Sequence, residues 1–91
     1  MPYIEPSRRK LYDNHIGEIV AHLKNDTFSK AAGDFTYVVY KLMGVFNDKF
    51  WQRALCVGCL IMAILEMYRK SHSIYEDKKI IENGDILYGD L

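Results

Sequence analysis

Cys56-Val57-Gly58-Cys59 is a C-x-x-C, a spacing shared by zinc sites and by dithiol redox centres. A redox thiol needs a helix N-terminus or nearby positive charge to lower its pKa, and a zinc site needs two further ligands. This pair lies inside the uninterrupted apolar run from Ala54 to Leu65, far in sequence from any histidine. Free cysteine in such surroundings behaves as a small buried hydrophobe. The pair is therefore expected to be structural.

His15, Glu18 and His22 follow one another at i, i+3 and i+7, on one helical face beside an apolar stripe. That is half of a metal site. A metalloprotease would need H-E-x-x-H, and a di-iron bundle would need Glu-x-x-His repeated on a second helix; the chain has neither. The expected reading is a solvated flank with an i,i+4 pair between Glu18 and His22, and no bound metal. For nucleophilic catalysis the chain offers hydroxyls and thiols, but no Gly-x-Ser-x-Gly, P-loop or Gly-rich phosphate fingerprint. No catalytic residue and no cofactor are expected.

The remaining chemistry is basic and aromatic. Arg8 and Arg9 stand beside Lys10, Tyr37 and Tyr40 precede Lys41, Arg53 and Arg69 flank the apolar run with Lys70, and Tyr75 precedes Lys78 and Lys79. Arginine grips phosphate with a planar fork, and tyrosine stacks on bases while donating through its hydroxyl. Arg8, Arg9, Tyr37, Tyr40, Lys41, Arg53, Arg69, Tyr75 and Lys79 are the candidate contacts for a small nucleotide-like ligand. A competing reading makes Tyr37 and Tyr40 core-edge aromatics and Lys78-Lys79 the favoured positive end of a helix.

These residues must be placed by helices. Prolines at 2 and 6 disfavour helix before them, giving an extended arm over residues 1–6. Ser7, or alternatively Asp13, then opens a helix to residue 25, with Tyr12, Ile16, Ile19, Val20 and Leu23 on one face. A second helix over 33–47 carries Phe35, Val38, Val39, Leu42, Met43 and Phe46; Asn47-Asp48 breaks it and offers a cap for a third over 49–70. Ser73-x-x-Glu76 has the form of a capping box for a short fourth helix over 74–83, which Gly84 stops. Residues 84–91 form an apolar tail that pairs with Tyr3-Ile4 as a ribbon, docks on a neighbour or frays. The expected fold is all-α: a compact single-domain bundle of three long-to-medium helices and a short C-terminal one.

Twelve basic and twelve acidic residues cancel, which argues against long nucleic acid as a partner. The apolar run of 12 residues falls short of the roughly 20 needed to span a membrane, and no signal-peptide succession opens the chain. A cytoplasmic protein without membrane contact is expected. The run is nevertheless apolar all round, and three short helices can barely cover it: either they wrap it completely, or one face stays open for another copy of the chain, which is the favoured reading. The helix Phe50 to Lys70 is therefore expected to be buried in a homo-oligomer.

Ala32-Gly33-Asp34-Phe35-Thr36-Tyr37-Val38-Val39, the stretch from Tyr75 through Glu82-Asn83-Gly84 to Ile86, the Met-Pro-Tyr-Ile start and Tyr68-Arg69 together resemble a family of short proteins of unknown function from bacteriophage and bacterial genomes. The resemblance covers nearly the whole chain and brings no assigned catalytic residue. Small phage proteins of this size are often host-takeover or counter-defence factors, and one class consists of helical oligomers that sequester nucleotide signals of bacterial immunity. The resemblance thus implies an oligomeric sequestering protein. The alternatives are a protein-protein module acting on a host or phage enzyme, and an enzyme of unrecognised type.

Overall fold

The computed structural model describes residues 2–87 and Gly89, and among them there is no strand. The protein is all-α. A single turn, α1 (Pro6–Arg9), is followed by α2 (Asp13–Lys24), α3 (Phe28–Met43), a 3-10 turn (Gly44–Phe46), α4 (Phe50–Met67), a π-helical turn (Tyr68–His72) and α5 (Ser73–Asn83). Three longer helices and a shorter C-terminal one are what the periodicity implied. Neither Tyr3-Ile4 nor Ile86-Leu87 is strand, and Tyr88 lies outside the described residues.

The expected helix over 7–25 is broken in two. Proline needs no N–H at the first helical position, so Pro6 opens α1, and Arg8 and Arg9 donate to the Glu5 carbonyl at 2.9 and 3.2 Å. Leu11 and Tyr12 then donate three residues back, to Arg8 and Arg9, and this tightening ends the turn. Asp13, not Ser7, begins the longer helix.

The second helix starts at Phe28, not residue 33. Thr27 is extended and its N–H is held by the Asp26 carboxylate at 2.8 Å; its own carbonyl accepts from Ala31 at 2.9 Å. The first turn escaped the periodicity because its apolar residue, Phe28, is 96% exposed and marks no buried face. The helix stops at Met43 because the backbone tightens into the 3-10 turn, not at residue 47. At the start of α4 the Gln52 side chain accepts from the Lys49 N–H at 3.1 Å, the backward arm of a capping box.

The largest departure is at Ser71-His72-Ser73. No break occurs there: the Ser73 N–H reaches five residues back to the Tyr68 carbonyl, and helix runs on from Phe50 to Asn83. With no free helix start there are no orphan amides to cap. The Ser73 hydroxyl instead donates to the Arg69 carbonyl at 2.7 Å, and Ser71 to Met67 at 2.9 Å. Gly84 does stop the helix: its φ is 86° and its N–H closes on the Ile80 carbonyl at 2.8 Å.

Internal contacts divide the chain into two units, Tyr3–Val57 and the stretch from Gly58 onward with Pro2. In the first, α2 packs on α3, turning Ile19, Leu23, Val38, Val39, Met43 and Phe46 inward as half-buried side chains. The outer members of the expected faces, Ile16, Phe35 and Leu42, stay exposed. Cys56 is the one buried residue among those described. In the second unit Cys59, Leu60, Glu66, Ser73 and Lys79 are half-buried.

Candidate functional site

Within the unit Tyr3–Val57, the end of α3, the 3-10 turn and the first two turns of α4 enclose a pocket of about 390 Å3. The size falls within the roughly 300–1,000 Å3 of small-molecule sites. Met43, Phe46, Cys56 and Val57 give it apolar walls, and Tyr40 and Arg53 bring the polar groups. Helical spacing explains the walls. Tyr40, Met43 and Gly44 lie on one face of α3 and its extension, and Arg53, Cys56 and Val57 on one face of α4.

Arg53 is fixed by its own corner: Nη1 donates to the Asn47 carbonyl at 3.1 Å. A guanidinium carries five N–H donors, so one bond leaves most of its fork for an anion. The Tyr40 ring stands 73% exposed at the rim, where it can stack on a planar ligand. The pocket thus suits a flat, partly apolar body with a negative group attached.

The other candidate residues do not gather here. Tyr37 and Lys41 are exposed on α3 and do not line the pocket. Arg8 and Arg9 lie on α1, and Arg9 Nε donates to the Ile4 carbonyl at 2.8 Å, which ties down the arm. In the unit from Gly58 onward, Arg69 is bonded to Glu66 through Nε, at 2.9 Å, and through Nη2. Lys79 sits 5.5 Å from the Tyr75 ring centroid and 3.0 Å from Glu82 Oε2. Lys79 also borders a smaller pocket of about 200 Å3 with Glu76, Ile80 and Asn83.

Of the nine candidates, only Tyr40 and Arg53 share the larger pocket. Its apolar walls were missed as site residues. Their signal was the Asn47-Asp48 breaker, which forces a corner and so a concavity between two apolar helix ends.

Both cysteines are free thiols, Cys56 buried and Cys59 half-buried. They share a helical face without forming a disulfide, and Cys56 is a pocket wall as well as a packing residue. His15, Glu18 and His22 are exposed on α2. The expected Glu18–His22 pair is not formed, and no three His, Cys, Asp or Glu side chains cluster as metal ligands among the described residues.

By length and composition alone, the continuous helix Phe50–Asn83 is long and apolar enough to cross a membrane, with mean hydropathy 1.5 in its most apolar window. The uninterrupted apolar run ends at Leu65 because Glu66 follows it, whereas the helix that carries it continues through the π turn to Asn83.

No curated protein and no solved structure matches the chain. A family model described as a domain of unknown function, DUF6899, matches residues 1–86, and the chain therefore belongs to that family.

Proposed function

We propose that this protein binds a small nucleotide-like molecule in the pocket at the α3–α4 corner, and acts by sequestering it. The observation that carries the reading is that Tyr40 and Arg53, one on each helix, line the same apolar pocket. An aromatic rim, apolar walls and a partly free guanidinium match the three parts of a nucleotide: a base to stack, a sugar edge to bury, and a phosphate to hold. At about 390 Å3 the pocket accommodates a base with its adjoining phosphate, and a larger signal would extend beyond it. Sequestration of an immunity signal in a host cytoplasm, by an oligomer of phage type, follows from the resemblance to short phage and bacterial proteins and from the absence of an enzyme motif.

The test is thermal unfolding of the purified protein against cyclic dinucleotides, mononucleotides and ADP-ribose derivatives. Ligand at 100-fold over Kd adds roughly 2.7 kcal/mol of stability, a readily measured rise in Tm. Tyr40→Ala and Arg53→Ala should each abolish that rise. Absence of any shift across the panel sinks the proposal, and ligand consumption seen by chromatography converts it to an enzyme.

The second reading, a module that binds and inhibits another protein, is favoured by a different observation. Phe28, Val45 and Ile81 are 96, 79 and 85% exposed, apolar surface that a protein partner would cover. That reading predicts capture of a defined protein partner that Phe28→Ser or Ile81→Ser disrupts while Arg53→Ala does not.

A further inference from the structure

One face of α4, continued by the first residue of the π turn, carries Phe50, Ala54, Val57, Ile61, Ile64 and Tyr68, in steps of four, three, four, three and four residues. That is the spacing of a helix-packing seam. All six are exposed, Phe50 at 78%, Ile64 at 66% and Tyr68 at 52%. The opposite face is different. Gln52, Cys56, Cys59, Leu60 and Glu66 are the residues of this helix that are buried or half-buried, while Leu55, Met62 and Met67 between the two sides are exposed. The seam ends where the π turn begins, at Tyr68, beyond which Arg69, Lys70 and Ser71 are polar.

We infer that this seam is the self-association face of the protein, and that a second copy of α4 packs along it. Taking about 200 Å2 for a whole aromatic side chain and about 100 Å2 for an aliphatic one, the exposed parts of the seam with flanking Leu65 offer about 500 Å2 per chain. Two copies covering all of it would bury about 1,000 Å2, which reaches the roughly 1,000 Å2 of a specific interface. The stripe has the width of one helix and runs the length of α4, about 27 Å at 1.5 Å per residue. Gln52, Arg53 and Glu66 lie off the stripe, toward the two ends of the helix.

The pairing also reaches the proposed ligand site. Val57 is both a seam residue and a wall of the pocket, and Arg53 is one turn away from it on the same pocket. A helix lying over Val57 would therefore cover a residue that walls the pocket. This second half rests on the pocket reading above; the seam itself does not.

Size-exclusion chromatography with light scattering on the full chain should give twice the 10.6 kDa chain mass. Ile61→Lys and Ile64→Lys should each weaken association roughly 30-fold or more, as for a central interface residue. Ile81→Lys, more exposed at 85% but on α5, should leave the mass unchanged. Circular dichroism of each variant separates loss of pairing from loss of helix, and Ile61→Ala, which retains an apolar helix former, should weaken the dimer without unfolding it. A monomer at all concentrations, a dimer indifferent to all three seam variants, or a chain that partitions into phosphatidylcholine vesicles instead of pairing overturns the inference. Nucleotide binding by a monomer sinks the seam and spares the pocket, whereas a seam-dependent dimer blind to nucleotides does the reverse.

Discussion

Arg53 Nη1 lies 3.1 Å from the carbonyl oxygen of Asn47, so an α4 side chain closes the corner that ends the 3-10 turn. The bond satisfies a carbonyl at the connection and holds the guanidinium beside Tyr40 in the same pocket. One residue thus ties local backbone geometry to the candidate ligand site.

Replacing Arg53 by alanine should cost about 1 kcal/mol, the net value of an ordinary hydrogen bond, and lower Tm by roughly 4–8 °C for a chain of this size. Arg53→Lys keeps the charge but not the planar fork, and should recover part of the stability and little ligand binding. Equal recovery of both, by calorimetry and titration, would show that charge alone matters there.

Gly84→Ala should destabilise by about 1–3 kcal/mol, because φ 86° with ψ 152° lies in a region essentially reserved for glycine. Gly17→Ala should do the opposite. A methyl group there meets nothing within 4 Å, and alanine favours a helix interior by about 1 kcal/mol. Denaturant midpoints of the two variants should move in opposite directions.

The two thiols should differ in reactivity. Cys56 is 5% exposed and Cys59 half-buried, so a disulfide reagent should modify Cys59 in the folded protein well before Cys56. Filling the pocket should slow Cys56 further, because Cys56 is part of its wall. Peptide mass mapping after timed labelling reads both rates; faster labelling of Cys56 would contradict the assigned burial.

Deleting Ser71 should convert the π turn into ordinary α-helix. The Ser73 N–H would then bond four residues back rather than five, and α5 would turn by about 100° relative to α4. Amide protection across Arg69–Ser73 should rise, which hydrogen exchange measures directly. Unchanged protection would mean that the five-residue bond imposes no local weakness.

Much of the helix content was legible in side-chain spacing. The recurrence of Ile19 with Leu23 and of Val38, Val39 and Met43 identified two helices and their inward sides. Gly84 marked a stop because its special backbone conformation is a property of the residue type. Ends were less legible where they depend on backbone geometry with no apolar signal, as at Phe28 and at Lys10–Tyr12. The capping box at Ser73–Glu76 was misread for a specific reason: the motif acts only where amides are free, and a preceding π turn had already bonded them.

Sequence alone thus determined the helical class, the all-round apolarity of α4 and the balanced charge, and it offered a set of basic and aromatic candidate residues. It could not choose among them, because helical periodicity relates residues within one element and says nothing about which elements meet. Only the tertiary structure put Tyr40 of α3 and Arg53 of α4 around one pocket, left Arg9, Arg69 and Lys79 with partners elsewhere, and assigned Cys56 to the packed side of α4. The same packing decided that Phe50, Val57, Ile61 and Ile64 stay uncovered, since burial belongs to the face a helix presents and not to the hydropathy of its residues.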